Sequence, residues 1–268
     1  LAELDRREAT PANALTRANL LRRSGDLAAA RAALDLPDAA DPWSVIPPGL
    51  ASGGFALAPL AVIDGVLPAQ RMHALHAQAC ALSGEFVDRI SGAGRQGASG
   101  AARVLVHQGS FDEQDFFRTF LDEQRDRLRA CLGMPDFAVS ALEVKLTNNF
   151  DGGNLPPHSD HAAATADEGR AITCIYYFSG PGQEFAGGDL LVFDSDPQAH
   201  RYSPSWFTRV RPQPNRMIAF PSWFYHAVTP ASGKAGDFAS GRMAISCQIR
   251  KAAGELDLWW DSRRSGAE

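Results

Sequence analysis

From Val139 to Phe150 the chain reads VSALEVKLTNNF, and from Arg170 to Ser179 it reads RAITCIYYFS. Apolar residues recur here at a period of two, β-branched and aromatic residues are frequent, and turn-forming residues bound each run, which predicts strands. Four further runs follow the same rule: GGDLLVF at 187–193, RMIAFP at 216–221, HAVTP at 226–230 and RMAISCQI at 242–249. Short strands at even spacing with turn chemistry between them predict a β-sandwich or jelly roll.

Upstream of Phe137 the period is 3.6. Phe111 to Leu132 is predicted as an amphipathic helix, with Phe117, Phe120, Leu121 and Leu128 on one side. Before it lies SGAGRQGASGA at 91–101, a Gly and Ser loop with the character of a lid. Residues 68–82 form a helix with Met72, Leu75 and Ala79, and Phe55 to Ile63 reads as one strand. Residues 37–54, rich in Pro, Gly and Asp, read as a linker. Residues 10–36 carry two helical stretches parted by Ser24-Gly25-Asp26, where Gly25 ends one helix and Asp26 caps the next. The second stretch resembles one unit of a tetratricopeptide repeat, but a solenoid needs several units, so a packing hairpin is the plainer reading. At the other end, ELDLWWDSRR is read as a short helical tail over the barrel.

The expected organisation is therefore a helical hairpin at 1–36, a linker at 37–54 and one domain at 55–268. That domain is mainly β with α: a double-stranded β-helix, or jelly roll, at about 138–250, flanked by helices. The first residue is Leu, which points to a longer product upstream.

Composition limits the function. With 26 Lys and Arg against 31 Asp and Glu, the net charge of -5 provides no field to gather phosphates, which argues against nucleic acid and anionic membranes as partners. No apolar run is long enough to span a bilayer and the start has no apolar leader core, so the expected location is the cytoplasm. Cys80, Cys131, Cys174 and Cys247 form no CxxC pair and read as reduced residues.

Candidate chemistry begins in NLPPHSDH. His158 and Asp160 are two apart, so on an extended segment both side chains leave the same face, while His161 points away. His226 arrives 68 residues after His158 at the start of another strand, where sheet pairing brings it opposite the first two. Two His and one carboxylate on one face of an octahedron leave the opposite positions open, as in non-heme Fe(II) oxygenases. Arg242, sixteen residues after His226, starts a strand that carries its guanidinium into the barrel, where it suits a dicarboxylate bidentately. Lys234 lies in a Gly-rich stretch and reads as solvated.

HSD at 158–160, GRAITCIYYFS at 169–179, GGDLLVF at 187–193, RMIAFPSWFYHAV at 216–228 and GRMAIS at 241–246 occur in the order seen in the Fe(II)- and 2-oxoglutarate-dependent dioxygenases, and the chain resembles their prolyl hydroxylase-like branch. The resemblance implies that His158, Asp160 and His226 bind Fe(II), and that Arg242 and Tyr177 hold the distal carboxylate of 2-oxoglutarate. Alternation puts Tyr176 and Tyr177 on opposite faces, so one alone points inward. Where relatives often have a Tyr, this chain has Asn148, Asn149 and Phe150, so a second cosubstrate contact falls to Lys145, Thr147 or Asn149. The longer spacing from His226 to Arg242 puts a Lys234-to-Ser240 insertion near the active-site mouth.

The implied reaction uses O2, releases succinate and CO2, and hydroxylates an unactivated C–H bond, with ascorbate as an accessory reductant. Related halogenases have a small residue where this chain keeps Asp160, so hydroxylation is favoured. The substrate is expected to be an amino acid, a prolyl-type peptidyl residue or a small natural-product intermediate, met by walls from the Arg89-to-Val106 region, Asn154 to Pro157 and the 162–168 loop. Arg89, Arg95 and Arg103 are candidate partners for a substrate carboxylate, while Trp206, Trp223 and Phe224 read as core or rim aromatics. The N-terminal hairpin is a further candidate surface for a protein partner. Two rival readings remain: a catalytically silent jelly-roll binding module and a zinc-dependent cupin-like enzyme.

Overall fold

A computed structural model describes residues 11–34, 43–46, 51–52, 54–91, 102–150, 152–161, 169–181, 185–196 and 199–252. The expected lid at 91–101 lies almost wholly outside them; the 162–168 loop and the ELDLWWDSRR tail lie entirely outside. Side chains of Arg89, Arg95 and Arg103 are likewise outside the described residues.

The N-terminal hairpin forms as its sequence requires. Helix α1 (Pro11–Ser24) stops at Gly25, which takes φ +84°, and α2 (Leu27–Ala33) starts at Asp26, whose Oδ1 accepts the Ala29 N–H at 3.0 Å. The loop expected over 37–54 instead contributes strands β1 (Ser44–Ile46) and β2 (Ala51–Ser52). The single strand expected over Phe55–Ile63 is two, β3 (Phe55–Ala56) and β4 (Leu60–Asp64), which belong to different sheets. Between them Leu57 and Ala58 are buried, the Ala58 N–H donates to Asp194 Oδ1 at 3.1 Å, and Pro59 has no N–H to continue a ladder. The chain thus changes sheet without leaving the core, and an unbroken apolar run results.

Helix α3 (Ala69–Ala81) buries Met72, Leu75 and Ala79 as expected. Strands β5 (Val87–Ser91) and β6 (Ala102–His107), absent from the sequence expectation, pair on either side of the Gly-Ser stretch. Helix α4 (Gln114–Cys131) begins three residues later than expected, and buries Phe117, Leu121 and Leu128. There follow β7 (Val139–Asn149), β8 (Gly153–His158), β9 (Arg170–Phe178), β10 (Ala186–Gly187), β11 (Leu190–Asp196), β12 (Arg201–Val210), β13 (Arg216–Pro221), β14 (His226–Ser232) and β15 (Arg242–Lys251).

One sheet runs β1-β4-β13-β9-β15-β7-β6-β5; the other runs β10-β14-β11-β3-β2, with β12 on β11 and β8 on β14. Every ladder among the described residues is antiparallel. Helices α3 and α4 cover the outer face of the larger sheet, where Phe117 packs on Tyr176 with ring centroids 4.8 Å apart. The opposite, inner face of that sheet meets the second sheet, so residues alternating along β9 and β15 divide between a helix-covered core and an interior cavity. The result is the jelly roll flanked by helices. No helix among the described residues is long and apolar enough to cross a membrane.

Cys131, Cys174 and Cys247 are buried and Cys80 is half-buried, all as free thiols. Burial pushes the Cys174 thiol up to about 12, which leaves it protonated and unreactive.

The hairpin is tied to the barrel by an ion pair. Arg22, fully buried, donates from Nη1 and Nη2 to the two carboxylate oxygens of Asp194 at 2.9 and 2.5 Å, and from Nε to Thr208 Oγ1 at 2.8 Å. Truncating one partner of such a pair strands the other charge in the interior. Arg22→Ala is therefore expected to lower stability by about 3 kcal/mol, read as a fall of roughly 6–12 °C in melting temperature. An unchanged melting temperature would show that the hairpin docks weakly.

Candidate metal centre

His158 closes β8 and His226 opens β14, and the two are Cα partners in the ladder that joins those strands. Their ring centroids lie 4.2 Å apart. Each ring is held through Nδ1, which faces a backbone carbonyl two residues upstream: Pro156 O at 2.8 Å for His158 and Phe224 O at 3.2 Å for His226. With Nδ1–H donated there, each Nε2 keeps its lone pair and turns to Asp160, 3.7 Å from His158 to Oδ1 and 3.7 Å from His226 to Oδ2. Asp160 is fixed from below, since its own N–H and that of His161 both donate to Ser222 O. One ligand atom from each of the three residues falls within 4.8 Å of the others.

The charge state suits a cation. Burial pushes the His226 imidazole down to about 4, aided by the neighbouring His158 and opposed by Asp160, so its Nε2 is unprotonated at neutral pH. Burial alone would raise the Asp160 carboxyl; the two imidazoles, the Thr173 hydroxyl and the Arg170 guanidinium hold it well below the usual carboxylate range. Two imidazoles and one carboxylate, without a thiolate, fit a divalent iron.

Deeper in the barrel, Arg242 is 3% exposed. Its Nη1 donates to Asn149 Oδ1 and its Nη2 to Tyr177 Oη, both at 3.1 Å, and its guanidinium sits 4.7 Å from the Tyr177 ring centroid. Nε is buried and meets no acceptor. Among the described residues no carboxylate pairs with it. Gly188, at φ +69°, makes the seat: a Cβ there would come within 2.6 Å of Arg242 Cδ. Tyr176 faces the other side of the sheet and donates to Asn215 Oδ1 at 3.0 Å, so Tyr177 is the inward tyrosine.

A cavity of about 290 Å³ joins the triad to Arg242. Lys145, Thr147 and Asn149, alternate residues of β7, all line it. Val104 and Val106 from β6, with Leu155, Ile175 and Val228, give it apolar walls. Of the stretches expected to supply walls, the Arg89-to-Val106 region does so through Val104 and Val106, and Asn154 to Pro157 does so through Leu155. The Lys234–Ser240 insertion does not, and no described residue of it lines the cavity. It folds into a short 3-10 turn at Phe238–Ser240 whose Phe238 packs on Phe86 and Phe150 and accepts the Asn148 side-chain amide at 2.9 Å. Lys234 itself is exposed, as expected. Trp223 and Phe224 are buried and Trp206 is half-buried.

The sequence reading missed Thr173, Gln248, Ser246 and Arg170. Thr173 and Gln248 both donate to Asp160, Ser246 and Arg170 line the cavity, and Arg170 also donates to Glu143 at 2.7 Å. A signal was present: Thr173 shares the inward face of β9 with Tyr177, and Ser246 and Gln248 share that of β15 with Arg242, so polar residues recur where a dry core would have none.

An antiparallel double sheet encloses a cavity lined by two imidazoles, a carboxylate and a buried guanidinium, a donor set that suits non-heme iron. Residues 144–250 match the 2OG-Fe(II) oxygenase superfamily. An uncharacterized PKHD-type hydroxylase of Synechocystis is 28% identical over 135 residues, which are 50% of this chain and 44% of that protein, so the match spans less than half of the relative's length. A prolyl-4-hydroxylase of Pseudomonas putida shares the fold, with TM-score 0.53 and 19% identity over 72% of this chain and 92% of that one. So does a prolyl hydroxylase of Trichoplax adhaerens, solved with a peptide fragment of the hypoxia inducible factor oxygen degradation domain, with TM-score 0.52 and 16% identity over 78% of this chain and 87% of that one. The family match is confined to residues 144–250, and the two prolyl hydroxylases share the fold.

Proposed function

We propose that this chain is an Fe(II)- and 2-oxoglutarate-dependent hydroxylase. The observation that carries the reading is Arg242: among the described residues its buried guanidinium meets only neutral oxygens and its Nε meets no acceptor, in a cavity shared with His158, Asp160 and His226. A buried cation calls for an anion. A diacid that spans the cavity to the triad meets that need, whereas a zinc-dependent enzyme or a silent binding module leaves Arg242 without a purpose.

His158, Asp160 and His226 hold the ion. Arg242 and Tyr177 bind the distal carboxylate of 2-oxoglutarate, and Asn149 orients Arg242 from the other side. Lys145 and Thr147 offer further polar contacts along the same wall. Val104, Val106, Leu155 and Val228 exclude water from the cavity, which protects a reactive site from side reactions. The iron and its cosubstrate supply the hydroxylation of an unactivated C–H bond, with O2 consumed and succinate and CO2 released. Asp160 occupies its ligand position, which favours hydroxylation over halogenation.

The substrate is an amino acid, a prolyl-type peptidyl residue or a small natural-product intermediate; the peptide seen in the Trichoplax relative supports including peptides in a screen. Ascorbate serves as reductant, and the free thiols, of which Cys131, Cys174 and Cys247 are buried, fit a cytoplasmic location. Succinate release in air, with Fe(II), 2-oxoglutarate and prolyl peptides, free amino acids and cyclic small molecules in turn, tests the proposal. Release above the substrate-free level is expected with at least one class, and none when Zn(II) replaces Fe(II). Product formation with Zn(II) and without 2-oxoglutarate would overturn it.

A further inference from the structure

Two donors converge on one oxygen of Asp160. Thr173 Oγ1 lies 2.8 Å and Gln248 Nε2 lies 2.7 Å from Oδ2. The two residues are Cα partners across β9 and β15, each 1% exposed, so neither donor has water as an alternative. Thr173 has one proton and two acceptors in reach, since Gln248 Oε1 is 3.0 Å away; the ionised carboxylate is the stronger acceptor. Ser222 Oγ lies 3.0 Å from Thr173 Oγ1 and 3.4 Å from Gln248 Oε1, so its proton has an acceptor on either side. The Gln248 amide presents nitrogen to the carboxylate because its oxygen would repel it.

A carboxylate oxygen offers about two lone-pair sites. Oδ1 and Oδ2 stand equally near the imidazoles, 3.7 Å from His158 Nε2 and 3.7 Å from His226 Nε2, but on Oδ2 both sites are engaged by Thr173 and Gln248 while Oδ1 retains its own. The geometry points to Thr173 and Gln248 as positioning residues that make Asp160 a ligand through Oδ1 alone. Ligation through both oxygens would use one more coordination position; ligation through one keeps open the positions on which this class of site depends. The inference rests on the metal-centre reading above and adds to it the reason why Asp160 binds in one mode.

Mn(II) alone, without 2-oxoglutarate or substrate, is the probe, followed by calorimetric titration and by crystallography of the wild-type complex. In that complex Oδ1 is expected to ligate and Oδ2 to keep both hydrogen bonds. Thr173→Val and Gln248→Met, which keep shape and remove the donor, are each expected to weaken Mn(II) binding by about 10–100-fold. Thr173→Ser, which restores the hydroxyl, is expected to bind as the wild type does. Ligation by Oδ2 in the wild-type complex would overturn the inference even if neither variant folded. So would wild-type affinity in folded Thr173→Val and Gln248→Met, while the metal-centre reading would stand. Failure of the wild-type protein to bind Mn(II) at His158, Asp160 and His226 would defeat both.

Discussion

Asp160→Ala abolishes succinate formation and lowers Fe(II) affinity by more than the roughly 10–100-fold that loss of an outer partner costs. The carboxylate is the only anionic member of the triad, so its removal leaves two imidazoles facing a divalent cation without charge compensation. Thr173 and Gln248 lose their common acceptor at the same time; the Thr173 hydroxyl still has Gln248 Oε1 in reach, whereas the Gln248 Nε2 loses the carboxylate it donates to. Asp160 is also a buried charge, and removing it relieves a desolvation cost, so folding is expected to survive. Fe(II) titration, turnover and melting temperature measured on one preparation separate these effects. Wild-type turnover in Asp160→Ala would remove the carboxylate from the site.

Arg242→Ala is expected to weaken 2-oxoglutarate binding by about 3–5 kcal/mol, the cost of stripping one partner from a buried charge pair. That is roughly two to three and a half powers of ten in affinity. Metal affinity should be retained, because Arg242 contacts Asn149 and Tyr177 and none of the triad. The signature is a large rise in the 2-oxoglutarate concentration needed for half-maximal rate, with Fe(II) titrating as in the wild type. Arg242→Lys should recover part of the loss, since it keeps the charge and gives up the planar fork. An unchanged 2-oxoglutarate requirement in Arg242→Ala would leave the buried guanidinium unexplained and would favour the zinc-dependent reading.

The sequence exposed the site more fully than the architecture around it. His158, Asp160 and His226 were legible because strand alternation and pairing are short-range rules: a two-residue spacing keeps a face, and a strand opening on histidine meets its partner in the ladder. Arg242 was legible from its place at the start of a strand, whereas Tyr177 came from the family resemblance, alternation requiring only that one of Tyr176 and Tyr177 point inward. What escaped depended on contacts remote in sequence. The break between β3 and β4 is set by a hydrogen bond to Asp194, and the residues that bridge it are as apolar as the strands. Strand β12, which has Pro204 beside exposed Arg201 and Ser205, is not among the expected strands; it pairs with β11 alone. Strands β5 and β6 flank a polar loop whose composition dominated the window. The insertion at 234–240 was assigned to the mouth from its length; its Phe238 instead found an apolar seat on Phe86 and Phe150. Arg22 looked like one of several basic residues on α1, and only the fold sets its guanidinium against Asp194.

The most direct measurement is anaerobic addition of 2-oxoglutarate to the protein loaded with Fe(II), followed in the visible spectrum. The account predicts a weak charge-transfer band that saturates at one 2-oxoglutarate per chain, disappears in Asp160→Ala and requires far more 2-oxoglutarate in Arg242→Ala. A wild-type protein that holds Fe(II) yet develops no band at saturating 2-oxoglutarate would contradict it.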